Sequence, residues 1–280
     1  MENIIETIKK RYSVRTYEVQ PVESEKLKKL DDFLAANTQG PFGNKVRFNL
    51  VDIPEDAVNE LKKLISYGNV KGARIFIAGS VVKGKNAMED FGYCMEKNIL
   101  MATSLNLGTV WLGGSLNRST FASKIGASDE EVIPAITPLG YPADKRSMVD
   151  RLIRTLSGGK NRKEFGEVFY RENISTPLDK AACGNYSDVL ETVRLAPSAS
   201  NKQPWRIIKE KDKNNFHFYL NENRSYNAIF KDIKIQNIDM GIAMCHFELT
   251  ARQLGLEGSW HVDKPDLASG DLIYIVSWKE

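Results

Sequence analysis

The sequence is poor in the residues that serve most metal and nucleophilic chemistry. Its three cysteines, Cys94, Cys183 and Cys245, are odd in number, far apart and without CxxC spacing, which excludes a disulfide framework, a zinc ribbon or a dithiol redox pair and suits a reducing compartment. The three histidines, His217, His246 and His261, have no ligand spacing and no serine–acid arrangement around them; each reads as structural. No apolar run approaches the roughly 20 residues that cross a bilayer, and Glu2 and Glu6 stand where a secretory signal needs bases. The expectation is a cytoplasmic protein with no membrane partner. A net charge of only +3 gives too weak a field for a nucleic-acid coat, so no nucleic-acid partner is expected and any anion binding must come from local clusters.

What is present is an ordinary globular composition, 42% hydrophobic and 27% charged over 280 residues, enough for one large domain or two half-domains. Apolar spacing predicts helices over 3–10, 23–34 and 56–65, a long, mostly buried one over 89–106, a charged one over 144–156, and two more over 186–195 and 238–254. Strands are expected over 47–53, 74–82, 133–139, 205–209, 216–220 and 272–278. Gly140-Tyr141-Pro142 is expected to turn the chain, Ser157-Gly158-Gly159 to break a helix, and the stretch through Gly184 reads as loop.

An internal repeat runs through the two long helices. Asp90-Phe91-Gly92-Tyr93-Cys94-Met95 lies over Asp239-Met240-Gly241-Ile242-Ala243-Met244, and without gaps Leu100, Ala102, Leu105, Leu107 and Trp111 meet Leu249, Ala251, Leu254, Leu256 and Trp260. Two buried helices can converge on such apolar patterns, but the shared acid, glycine and tryptophan favour duplication. A weaker echo links Asn44-Lys45 to Asn201-Lys202.

Four segments have the residue types of a ligand site. Arg11-Tyr12-Ser13-Val14-Arg15 puts two guanidinium forks and a hydroxyl at a helix end, suited to phosphate oxygens or equally to a solvated helix terminus. Pro197-Ser198-Ala199-Ser200-Asn201-Lys202-Gln203-Pro204-Trp205 is small, polar and conformationally restricted, so that a flat heterocycle could come close to its backbone. Leu107 to Gly114 ends in paired glycines, which either present N–H groups to a ligand edge or make a tight turn. Lys160-Asn161-Arg162 is a second basic group.

Together these segments resemble the FMN-dependent nitroreductase family. Arg11 to Arg15 looks like its phosphate motif, Pro197 to Trp205 like its PSxxNxQPW motif, Asp90 to Gly114 like its central helix and flavin-facing turn, and Lys160-Asn161-Arg162-Lys163 like its late basic motif. In ordinary members the PSxxNxQPW segment follows soon after the arginines; here that slot holds Gln39-Gly40-Pro41-Phe42-Gly43-Asn44, a degraded version, and the intact copy lies in the second half. The chain is therefore similar to the single-chain, pseudo-dimeric branch known as putative TM nitroreductases, in which two halves share one flavin site.

The resemblance implies an α+β fold, a nitroreductase-like mixed sheet flanked by helices in two pseudo-symmetric halves, 1–157 and 158–280, with the fused dimer leaving the chain monomeric. FMN is the implied cofactor and NAD(P)H the electron donor, with a ping-pong transfer to a nitroaromatic, quinone or similar small-molecule acceptor. Arg11, Tyr12, Ser13, Arg15, Lys160 and Arg162 would surround the phosphate, Pro197, Ser198, Ala199 and Asn201 would border the ring, and Leu112, Gly113 and Gly114 would lie near the reactive edge. No side chain is assigned as catalytic and no metal is expected, because the redox chemistry belongs to the flavin. The alternatives are a reductase of activated double bonds, a non-catalytic flavin binder or a degenerate pseudoenzyme.

Overall fold

The computed structural model describes residues 3–54, 70–113, 118–143, 161–227 and 233–280. The helices expected over 56–65 and 144–156, the Ser157-Gly158-Gly159 break, Gly114 and Lys160 lie outside the described residues. The chain gathers into two compact units: one comprises Met1 with Lys10–Ser157, the other Glu2–Lys9 with Gly158–Glu280.

The first unit is built from α2 (Ser24–Ala36), β1 (Val46–Asp52), β2 (Ile75–Val82), α3 (Ala87–Ser104), α4 (Arg118–Ile125), β3 (Glu131–Val132) and β4 (Ile136–Leu139); α1 (Ile4–Lys10) falls in the second. Outward lysines of α2 pair one turn along with acids, Lys28 with Asp32 and Lys29 with Glu25, each at 2.7 Å, while Leu30 and Leu34 are buried; such i,i+4 pairs support an amphipathic helix. β2 is the centre of an antiparallel sheet, pairing with β1, β3 and β4. α3 is buried nearly all round, as a central helix must be, and is tied to the end of α2 through the Asn37 amide, which donates to Cys94 O at 2.7 Å and Asn98 Oδ1 at 2.8 Å.

The second unit takes α1, then α5 (Phe165–Val168), β5 (Phe169–Arg171), a 3₁₀ stretch over Lys180–Tyr186, α6 (Ser187–Leu195), β6 (Trp205–Lys209), β7 (Phe216–Leu220), α7 (Arg224–Asn227), α8 (Ile235–Gln253), β8 (Ser259–His261) and β9 (Ile273–Lys279). Asn3 caps α1 by accepting from Glu6 N at 3.1 Å, and Ile4 N donates to the Gln253 side chain at the end of α8. Strand order is β5-β6-β7-β9-β8, with β5 parallel to β6 and all other pairs antiparallel. Phe247 on α8 anchors the core: the rings of Phe216, Phe218, Trp278, Trp260 and Tyr186 lie 5.2 to 5.9 Å from it, distances at which edge and offset ring contacts add to area burial.

The expected mixed α+β architecture is there, drawn as two sheets rather than one. Each unit repeats one order: helix (α2, α6), antiparallel strand pair (β1-β2, β6-β7), central helix (α3, α8), then a strand returning antiparallel to the second of the pair (β4, β9). Several local expectations are corrected. The strand over 133–139 is only Ile136–Leu139, the stretch that finds partners on β2 from Ile75 to Ala78. Gly140-Tyr141-Pro142 runs extended instead of turning, with Gly140 bridged to Gly108 and Pro142 to Tyr17. The loop-like stretch read after Tyr170 and through Gly184 ends in the 3₁₀ stretch from Lys180, and α4 and β8 had no expectation.

Candidate functional site

In the first unit the basic segment after α1 lies extended beside the glycine-rich one. Val14 N donates to Thr109 O at 2.8 Å, and Ser13 pairs with Thr109 in parallel. On its other side Lys71 N donates to Arg15 O at 2.9 Å and Tyr17 N to Lys71 O at 2.8 Å. Gly108 makes the approach possible, because a Cβ there would sit 2.8 Å from Val14 Cγ2. Sequence segments read separately are thus neighbours. Tyr12 to Thr16, with Pro142 and Ala143, line a depression of about 10 Å³, room for about one water.

Their side chains are not all turned outward. Arg11, only 6% exposed, lies with Nε 3.8 Å from Oε1 of the fully buried Glu96, whose Oε2 accepts from Trp111 Nε1 at 2.8 Å. Half-buried Ser13 and Arg15 and exposed Tyr12 line the depression. The expected ligand edge at Leu112 is already a strand partner: Leu112 N donates to Ile136 O at 3.0 Å, and Leu112 O accepts from Ile136 N at 2.9 Å. Its N–H therefore serves the sheet; Gly113 follows it, and no tight turn forms at Leu112.

In the second unit the Pro-Ser loop and the basic segment at 161–163 are joined side chain to side chain. Arg162 donates to Asn201 Oδ1 at 2.9 Å and to Leu195 O at 3.1 Å, and Asn201 Nδ2 donates to Asn161 O at 2.7 Å. Gln203 Oε1 accepts from Lys163 N at 2.8 Å, and Gln203 N donates to Ser198 Oγ at 2.9 Å. This knitting holds Ser200, Asn201 and Gln203 at φ of 48°, 54° and 47°, a left-handed conformation that costs a non-glycine residue roughly 1–2 kcal/mol.

Both units use a buried aspartate of the central helix to hold a loop. Asp90 accepts from Phe42 N, Asn44 N and Asn44 Nδ2 at 2.8, 2.8 and 2.9 Å. Gly40 allows this, since a Cβ there would lie 2.3 Å from Asp90 Oδ1. Asp239 accepts from Ala199 N at 2.9 Å through Oδ1, while its buried Oδ2 has no partner. Burial pushes both carboxyls above the usual range; the donors around Asp90 oppose this, and Asp239, with one donor, is raised well above it. The repeat placed these aspartates in register, but their work as loop anchors was not read. Glu96 also went unread, because a lone acid on an apolar helix face gives no signal of its partner.

His217 is buried against Ser277 Oγ at 2.7 Å and Glu210 at 3.2 Å, with burial lowering its pKa, and His246 Nδ1 lies 2.8 Å from Thr192 O. All three cysteines are buried and free, burial pushing the Cys94 thiol up to about 12. Among the described residues there is no group of acids, histidines or cysteines arranged to hold a metal, and no helix long and apolar enough to cross a membrane.

The family model described as "Putative TM nitroreductase" matches residues 3–251. The chain belongs to this family. A "putative nitroreductase" from Thermotoga maritima MSB8 shares the nitroreductase fold over 99% of this chain and 93% of its own, at a TM-score of 0.61 and 18% identity. A nitroreductase family protein from Clostridium novyi NT matches 52% of this chain and 89% of its own, at 24% identity and a TM-score of 0.43. An FMN-dependent nitroreductase from Clostridium difficile R20291 matches 50% and 88%, at 22% identity and a TM-score of 0.41.

Proposed function

We propose that this nitroreductase-family chain binds FMN and transfers reducing equivalents from NAD(P)H to a nitroaromatic, quinone or similar small acceptor. The observation that carries the reading is the Arg162–Asn201 hydrogen bond at 2.9 Å, which ties two family-like motifs 39 residues apart into one strained, preorganised loop. Strain of this kind concentrates where a ligand is met.

The donor chemistry fits the cofactor. In the first unit Ser13 and Arg15, with Tyr12 beside them, offer only neutral and cationic donors, as a phosphate monoester requires; Arg11 stands behind them, held by Glu96. In the second unit the amide of Asn201 and the hydroxyl of Ser198 are engaged within the loop, so these two act as positioning residues. Pro197 and Ala199 offer a small, close-approaching edge to a flat ring, and Gly113 is assigned to the ring's reactive edge. FMN when bound supplies the hydride and electron chemistry, and the chain's task is to fix its place and leave access to donor and acceptor.

The test is reconstitution of the purified chain with FMN or riboflavin, followed by anaerobic NAD(P)H. Retained flavin absorbance with preference for FMN, bleaching by NAD(P)H and return of colour on adding a quinone or nitroaromatic is the expected result. Equal affinity for riboflavin and FMN counts against the phosphate assignment, and flavin that binds but never bleaches makes the chain a carrier.

A further inference from the structure

The second unit contains a cavity of about 530 Å³ bordered by Lys163, Lys202, Arg206 and Arg224, with Glu222 as the one carboxylate among the described residues that line it. Among the described residues Pro204 is the one apolar side chain that lines it, beside Asn221, Asn223 and Gln236. Pockets for neutral aromatic ligands are lined mainly by apolar and aromatic groups, so this is no place for a quinone or nitroaromatic. Glu222 is met by Arg224, Nε to Oε2 at 3.6 Å, on a side chain 92% exposed. Lys163, Lys202 and Arg206 form no ion pair with any carboxylate among the described residues.

Arg206 is the built element. It is 7% exposed, and its Nη1 is fixed by Gln203 O at 3.1 Å and Trp205 O at 2.7 Å. A buried guanidinium without a carboxylate in ion-pair contact among the described residues is costly; Tyr170 and the more distant Glu167 offset part of that cost, and two lysines placed beside it add repulsion. Burial and then the Arg206 guanidinium depress the pKa of Lys163; Glu167 opposes them and Lys202 adds a smaller push in the same direction as Arg206. Gln236 brings the first turn of the 19-residue α8 to the wall, its Oε1 accepting from Asn223 N at 2.9 Å, so the positive end of a long helix dipole adds to the same field. Lys163 follows Arg162 in an extended segment, where successive side chains point to opposite faces. Arg162 is turned into the Pro-Ser loop and Lys163 into the cavity.

We propose that this cavity is a binding site for a pyrophosphate-type anion, separate from the residues assigned to the flavin phosphate. Such an anion supplies the multiple negative charges that three cations without an ion-pair partner among the described residues call for, and guanidinium and ammonium donors bind phosphate oxygens well. Two sources share the chemistry: the free ion, and the phosphates of a dinucleotide. Only the second rests on the reading of the chain as an NAD(P)H-dependent enzyme.

The experiment is calorimetric titration and thermal unfolding of the full chain with pyrophosphate, NADP⁺ and NAD⁺, in the wild type and in Lys163→Gln/Lys202→Gln. Arg206→Gln is added if it folds, and Lys211→Gln serves as surface control. The expected result is saturable pyrophosphate binding with a rise in Tm, weakened at least tenfold in the double variant and unchanged in the control, with FMN retention intact. Matching loss of NADP⁺ binding assigns the dinucleotide as source; pyrophosphate binding alone assigns the free ion. No saturable anion binding, or binding indifferent to the double variant, overturns the proposal. Loss of FMN together with pyrophosphate overturns it too, since the cavity would then be the flavin's own. Failure of FMN binding in the wild type with pyrophosphate binding intact refutes the flavin reading alone.

Discussion

Replacing each buried aspartate by asparagine separates two loop anchors of identical chemistry and different satisfaction. Asp90 receives three donors, two of them at Oδ2. An asparagine there sets an N–H₂ group against at least one backbone N–H, and each buried donor left without an acceptor costs about 1–3 kcal/mol. Asp90→Asn should therefore lower stability by about 2–3 kcal/mol, on that same per-group cost. Asp239 receives one donor at Oδ1 and none at Oδ2, so the asparagine keeps the single acceptor. Because the folded pKa of Asp239 is raised, its stabilising share is complete below the unfolded carboxylate range and is lost as pH rises toward the folded value. Asp239→Asn removes that titration. Relative to wild type it should be less stable or equal near pH 3 and should gain steadily as pH rises toward the folded value. Denaturant unfolding of both variants between pH 3 and 8 reads this directly. A loss of several kcal/mol in Asp239→Asn at neutral pH, or a stability difference from wild type that does not vary with pH, would refute the account of a neutral, half-satisfied carboxyl.

Arg11→Ala leaves Glu96 buried with Trp111 as its remaining partner named above and should cost about 3 kcal/mol of stability, seen as a fall in denaturant midpoint. Arg15→Ala should spare the fold yet weaken FMN about ten- to a hundredfold, the equivalent of about 1.5–3 kcal/mol for a charge-assisted contact; unchanged FMN titration would return that segment to a plain surface role. Glu131, held at about 2 by the Arg47 fork and by Ser80 and Ser128, contributes stability above the usual glutamate range that is lost as pH falls toward 2. Glu131→Gln should flatten the acid limb by about 1 kcal/mol once the screening of the 36%-exposed Arg47 is allowed for. Asn201→Ala removes the loop's amide contacts to Arg162 and Asn161 O, and should shift the bound-flavin spectrum or weaken FMN with little change in the denaturant midpoint.

Strands β6 and β7 were legible to the residue because dense β-branched and aromatic runs are bounded by Pro204, Asn214-Asn215 and Asn221, which punctuate regardless of tertiary context. The central helices were legible for the opposite reason: apolar residues on nearly every face mark a helix buried all round. What escaped was decided by partners distant in the chain. Three-residue β8 exists because Ser259, Trp260 and His261 find β9, and Leu112 becomes strand-like because Ile136 lies beside it. The phosphate-like and PSxxN-like segments could be named from their residue types, yet the inward turn of Arg11 could not, since it depends on Glu96, 85 positions away. Positive φ at Ser200, Asn201 and Gln203 was equally hidden, for no glycine announces it.

The two anchored loops show how duplicated halves diverge. In the first, Asn44 folds down and gives both its backbone and amide N–H to Asp90, so the acid is satisfied and the loop is closed on its own helix. In the second, Asn201 spends its amide on Arg162 and Asn161 O instead, and the aspartate below loses its second partner. Two changes of hydrogen-bond allegiance, the backbone N–H of Asn201 to Ser198 O and its amide to Asn161 O, thus account for a carboxyl oxygen without a partner among the described residues, and they go with three residues held in left-handed backbone. Local conflicts of this kind persist where surrounding structure enforces them and are most expected at sites selected for something other than stability. The relaxed loop of the first half is the one that departs from the PSxxNxQPW pattern, and the unsatisfied loop of the second half keeps that pattern intact. Loss of function at the first loop would have removed the reason to hold an asparagine away from its aspartate, and the loop then settled onto it.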